Sequence, residues 1–179
     1  MSNVLPLSER PDLTTERLAL RHPNNGDVDA IVSIVGDWEV ARRLGRVPHP
    51  YGPADARFFL EHVVPTGWVW AVTLLGSDAL VGTIGLTPEE GADTAELGYW
   101  LSPALWGLGI TTEAARAVVS YGFDGLGLPV LTSGYFEDNP ASGRVLRKLG
   151  FVEIGRAMRP CLAAGGEVPA VRMKLSRAT

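Results

Sequence analysis

Three strand-like runs follow one another in the middle of the chain with no helix between them. Trp68 to Leu75 is the first, and Gly76-Ser77-Asp78 turns it. Leu80 to Thr87 is the second, so the pair reads as a hairpin. Ala95 to Leu101 is the third, and it carries a glycine, Gly98, inside it. Such a block is incompatible with the strict strand–helix alternation of a doubly wound fold. Before it, Arg17 to Arg21 alternates polar and apolar residues as a half-buried strand does. Asp27 can cap a helix in which Val28, Ile31, Val32 and Val35 form one apolar stripe. Pro53 suits the first position of a second helix running from Ala54 to Val63. After the block, a helix is predicted over about Thr112 to Phe123, then a strand from Val130 to Phe136. Asn139 and Pro140 fit the cap and first residue of a short helix that stops at Gly150. Phe151 to Met158 and Val168 to Leu175 read as closing strands. The pattern predicts an α/β fold with about seven strands in a mixed sheet and about four helices. Residues 1–14 carry two prolines and little pattern, and read as a loose lead-in.

A chain of 179 residues without repeats or linkers is expected to form a single domain, 1–179. The net charge of −4 argues against nucleic-acid binding, which is driven by basic surface. It does not argue against a small anion, because backbone N–H groups bind phosphate without net positive charge. The single cysteine, Cys161, excludes an internal disulfide and reads as a buried or half-buried thiol. A nucleophilic cysteine needs a positioned histidine, and His22, His49 and His62 all lie far from it in sequence. The first residues lack the basic and apolar regions of a signal peptide, and no apolar stretch is long enough to span a bilayer. The expectation is a soluble cytoplasmic protein without a membrane partner.

Chemistry concentrates after the third strand of the block. In Trp106-Gly107-Leu108-Gly109-Ile110-Thr111-Thr112-Glu113, two glycines stand at a helix start. The glycines let the backbone turn and let a ligand approach closely. The first helical N–H groups lack internal partners and lie at the positive end of the helix dipole, so a pyrophosphate can sit there. Gly-x-Gly also occurs as a plain tight turn, so the loop by itself leaves both readings open. A dinucleotide fingerprint would want a third glycine where Thr112 stands, and it would want an early strand–loop–helix context that is absent. Gly98 adds a second feature. A glycine inside a strand marks a bulge or a close backbone approach, or makes room for a neighbouring aromatic ring. It can leave the N–H groups of Trp100 and Leu101 free for an extended, amide-bearing ligand.

Three motifs in order carry a family resemblance: Glu96-Leu97-Gly98-Tyr99-Trp100-Leu101, the loop 106–113 with Ala114, and Asn139-Pro140-Ala141-Ser142 followed by Val145 to Phe151. Together they resemble the GNAT N-acetyltransferase superfamily, in the branch that includes the ribosomal-protein N-terminal acetyltransferases. Leu13 to Arg21 resembles that branch's first strand, and the resemblance covers about residues 13–175. It implies a mostly antiparallel central sheet and acetyl-CoA as co-substrate. It implies a pyrophosphate on the backbone N–H groups of Gly107, Leu108, Gly109, Thr111 and Thr112, and a pantetheine arm along Trp100 and Leu101. Asn139 would contact that arm and Ser142 would lie near its sulfur. The chain departs from the family at three positions. Trp106 replaces the usual Gln or Arg, as is common in this branch, and Thr111 replaces Gly or Ala. Leu146 stands where many members carry a tyrosine acid, which leaves Ser142 to serve the departing thiolate.

The acceptor implied is a primary amine, on a peptide N-terminus or a small molecule, and a homodimer is kept open as the assembly. At pH 7 a lysine-type amine is neutral about once in 2,500 molecules and an α-amine about one time in seven. The difference is about 3.5 kcal/mol of deprotonation, so an α-amine needs less help from a base. Glu96 is the leading candidate base, with a surface carboxylate as its plain alternative; Glu137 comes second. Glu113 is better explained as a charge favoured by the helix N-terminus. Trp38, Tyr51, Trp68, Trp70 and Tyr135 are candidates for an acceptor pocket or for core packing, and Arg116, Arg144, Arg147 and Lys148 for phosphate contacts or solvated helix faces. Thr111 and the absent tyrosine motivate a second reading, a coenzyme A-binding sensor without turnover.

Overall fold

The computed structural model describes residue 7 and residues 10–177. Its eight strands are β1 (Leu13–Thr14), β2 (Leu18–Arg21), β3 (Trp68–Leu74), β4 (Leu80–Pro88), β5 (Thr94–Leu101), β6 (Val130–Phe136), β7 (Val152–Cys161) and β8 (Gly166–Ser176). They form one sheet in the order β1-β2-β3-β4-β5-β6-β8-β7. Among the described residues only the β5–β6 pair is parallel. The α-helices described are α1 (Val28–Val35), α2 (Trp38–Ala41), α3 (Pro53–Phe58), α4 (Ile110–Ser120) and α5 (Pro140–Lys148).

The sheet is covered on both faces, which is why β3 is buried almost throughout. One face packs Leu18, Leu20, Trp70, Leu86, Leu97 and Leu131 against Ala114 and Val118 of α4 and Leu146 of α5. The other packs Ala71 and Leu80 against Ile31, Val35, Val40 and Ala56 from α1, α2 and α3. No helix among the described residues is long and apolar enough to cross a membrane.

The mixed, mostly antiparallel sheet is the expected one, with one more strand and one more helix. The extra strand, β1, falls within the expected lead-in; the rest of that lead-in lies outside the described residues except for residue 7 and residues 10–12. Two residues are too few to show a period. The extra helix, α2, follows α1 after Gly36 because the Asp37 side chain accepts from the Glu39 N–H at 2.8 Å and caps a new start. Asp27 stands at the cap position of α1 but does not cap it. Its carboxylate is taken by Arg21 (2.7 and 2.9 Å) and by the Asn24 N–H (2.8 Å). Pro53 opens α3 as expected, and the helix continues through Phe59–Val63 as a wider turn. Cys161 is fully buried, with its thiol 3.6 Å from the carbonyl of Arg42.

One irregularity positions everything that follows. β5 and β6 pair only at Thr94↔Val130, Ala95↔Leu131 and Glu96↔Thr132. Both strands run on, β5 to Leu101 and β6 to Phe136, but they no longer pair with each other. The sheet is therefore forked. α4 follows the end of one prong and α5 the end of the other.

Candidate active site

The fork leaves backbone groups unpaired along its inner edge. Ser133 Oγ donates to the Leu97 carbonyl at 2.8 Å, and Trp106 Nε1 donates to the Leu101 carbonyl at 2.9 Å. Those carbonyls therefore face the fork rather than β4. Alternation along an antiparallel pair then turns the N–H groups of Tyr99 and Leu101 to the fork and that of Trp100 to Thr83 of β4. From the sequence the open amides are expected at Trp100 and Leu101; the register turns those of Tyr99 and Leu101 toward the fork. The Trp100 side chain packs with the cluster of α1 and α3. Gly98 has no aromatic neighbour to accommodate, since a Cβ built there meets nothing within 4 Å. The space over that face of β5 is open.

The loop at the end of β5 turns on two glycines into a helix start, whose free amides can accept an anion. Gly107 and Gly109 both take φ +78°, a conformation that other residues rarely adopt. Glu113 N–H is the first in α4 to find a helical carbonyl, that of Gly109 at 3.0 Å. The amides of Ile110, Thr111 and Thr112 precede it at the positive end of the helix. Thr111 sits in the helical first turn, a conformation open to β-branched residues. Glu113 does more than favour the dipole. It accepts from Thr15 Oγ1 (2.6 Å), from Arg17 N–H (2.8 Å) and from Arg17 Nε (2.7 Å). Burial pushes its carboxyl up, but these hydrogen bonds outweigh burial and hold it below its ordinary value. Arg17 also donates to the Leu108 carbonyl at 3.0 Å, so the segment before β2 clamps the loop.

Beside that clamp lies a cleft of about 750 Å³ lined by Glu16, Arg17, Gly109, Thr112, Glu113, Arg116 and Lys148. Three cations face two carboxylates there, and one carboxylate is already engaged by Arg17. The donor set fits a phosphate-bearing ligand. Arg144 does not line this cleft, and Arg147 instead donates to the Tyr135 hydroxyl at 2.8 Å. Arg17→Ala should weaken binding of such a ligand about tenfold, by loss of one charge-assisted contact and of the loop's anchor. Calorimetric titration checks this, and an unchanged affinity would make the clamp purely structural.

At the other prong, Asn139 caps α5, its Oδ1 accepting from the Ser142 N–H at 3.4 Å. The Ser142 hydroxyl lies 2.8 Å from the Tyr99 hydroxyl across the fork. Burial pushes the Tyr99 phenol up to about 12, against a smaller lowering by its bond to Ser142. Leu146 is wholly buried in the core and takes no part in the cleft.

On the sheet face of α1–α3, Glu96 is held by Arg159, with contacts of 2.7 and 3.3 Å to its two oxygens. Arg159 lies close over Gly134, where a Cβ would come within 3.2 Å of its guanidinium. Glu137 pairs with Arg156 at 2.9 Å. Arg42 joins Glu39 to Asp138, linking α2 to the segment before α5. Of the candidate pocket aromatics, Trp68 and Trp70 are core residues, and Tyr135 lies under Gly143 of α5. Tyr51 packs in the α1–α3 cluster, and Trp38 is half exposed with its edge to His49. Tyr99, Arg17 and Arg159 were missed in the sequence. Tyr99 had a usable signal, since it follows Leu97 by two residues on the same strand face.

Comparison with known proteins identifies the family and the fold. A family model described as an acetyltransferase (GNAT) domain matches residues 17–152. The uncharacterized N-acetyltransferase YoaA of Bacillus subtilis is 33% identical over 151 residues, covering 81% of this chain and 85% of that protein. The putative ribosomal N-acetyltransferase YdaF of the same organism is 34% identical, covering 79% and 81%. A solved structure of RimL, a ribosomal L7/L12 α-N-protein acetyltransferase in complex with coenzyme A, superposes with a TM-score of 0.78. At 17% identity over 93% of this chain and 98% of that one, it shows the shared fold.

Proposed function

The chain belongs to the GNAT acetyltransferase family, and from that premise we propose that it transfers the acetyl group of acetyl-CoA to a primary amine, in the first place the α-amine of a peptide. The observation that carries this reading is the parting of β5 from β6 after Glu96, with a glycine loop and helix start at one prong and Ser142 at the other. In this reading the amides of Gly107, Leu108, Gly109, Thr111 and Thr112 hold the diphosphate, with Arg17 beside them. Tyr99 and Leu101 offer their backbone edge to the pantetheine amides, and Asn139 borders the arm. Acetyl-CoA supplies an activated thioester, and the chain supplies position and proton handling.

The amine nitrogen forms the new C–N bond as the C–S bond breaks, and that electron pair goes to sulfur. Glu96 takes the amine's proton, directly or through a water, while Arg159 fixes the carboxylate's direction. Ser142 offers its O–H to the departing sulfur. A peptide α-amine is favoured because it is neutral about one time in seven at pH 7, against about once in 2,500 for a lysine amine. The names of YdaF and RimL support a protein acceptor for those relatives. Thiol release measured over an amine panel tests the proposal. Peptides with free N-termini should release coenzyme A fastest, and N-terminally blocked peptides bearing lysine should lag by at least tenfold. Binding of acetyl-CoA with no release on any amine would instead mark a sensor without turnover.

A further inference from the structure

We infer that Tyr99 is a positioning residue that acts through Ser142, turning the serine's single proton into the fork toward the leaving sulfur. The inference rests on the proposed place of that sulfur. Its own footing is the 2.8 Å contact between the two hydroxyls, made across the fork from β5 to the first turn of α5.

A serine hydroxyl has one proton to give. In the first turn of a helix it tends to spend that proton on a nearby backbone carbonyl. A donor aimed at its oxygen prevents this. Tyr99 is such a donor. Its O–H stays protonated throughout the neutral range because burial pushes its pKa up to about 12. The opposite polarity would need Tyr99 to give its proton to the Ser142 carbonyl, which lies farther off at 3.4 Å. An anionic sulfur in the fork favours the first arrangement, since only then does Ser142 point a proton at it. Tyr99 does not itself protonate the sulfur, because a thiol titrates near about 8.5 and draws no proton from so weak an acid. Its effect passes through Ser142.

The test titrates the thiol of coenzyme A bound to the purified protein, following thiolate absorbance with pH. In the native protein the bound thiol should titrate below free coenzyme A. Tyr99→Phe, which keeps the ring, should raise that value by about one pKa unit. Ser142→Ala should raise it at least as far, and adding Tyr99→Phe to Ser142→Ala should change nothing more. In turnover, Tyr99→Phe should lower kcat roughly tenfold at unchanged KM for acetyl-CoA and unchanged melting temperature. A native-like titration in Tyr99→Phe, or a further shift in the double variant, overturns the inference. The titration needs no acceptor. If no amine is acetylated while the thiol values move as stated, the transfer reading fails and the Tyr99–Ser142 pairing stands.

Discussion

A Gly109→Glu protein is expected to fold normally and to bind acetyl-CoA about a hundredfold more weakly or worse, measured by calorimetry. Two effects add. Gly109 takes φ +78°, where a side chain costs about 1 kcal/mol of local strain. The larger effect is electrostatic. The new carboxylate would stand at the positive end of α4, where the free amides of Ile110, Thr111 and Thr112 gather. It would repel a diphosphate and would compete for Arg17, whose guanidinium lies 3.5 Å from the position of a Cβ at residue 109. Gly109→Ala separates the two effects, since it carries the strain without the charge, and should lose less than tenfold. A native affinity in Gly109→Glu would remove the loop from the cofactor site.

Glu96→Gln should lower kcat by about a hundredfold, within the range usual for a general base, at near-native affinity for acetyl-CoA. Gln retains an oxygen for Arg159, so the strut between β5 and β7 survives and the fold should not suffer. The decisive readout is the split between kcat and KM: kcat should fall while KM for acetyl-CoA stays native, because the base acts only in the transfer step. A native kcat would leave Glu96 as a partner for Arg159 and nothing more.

The elements that could be read in advance are those with a full period or an unambiguous punctuation mark. β3, β4 and β6 fall almost where their strand-like runs put them, and Pro140 opens α5 behind its asparagine cap. β1 is too short to show a period, and α2 depends on the Asp37 cap just past the end of the α1 stripe. In the site, the loop and Asn139 were legible because glycine and capping residues have local causes. Arg17, Arg159 and Tyr99 were not, because each acts on a partner 43 or more residues away in sequence. For Trp100 and Leu101, a glycine inside the strand suggests an open edge, but only the register with β4 shows which amides face it.

A crystal structure of the acetyl-CoA complex should show the diphosphate on the amides of residues 107–112, the pantetheine against Tyr99 and Leu101, and the sulfur within hydrogen-bond reach of the Ser142 hydroxyl. A cofactor bound outside the fork, with its diphosphate away from the start of α4, would contradict this placement.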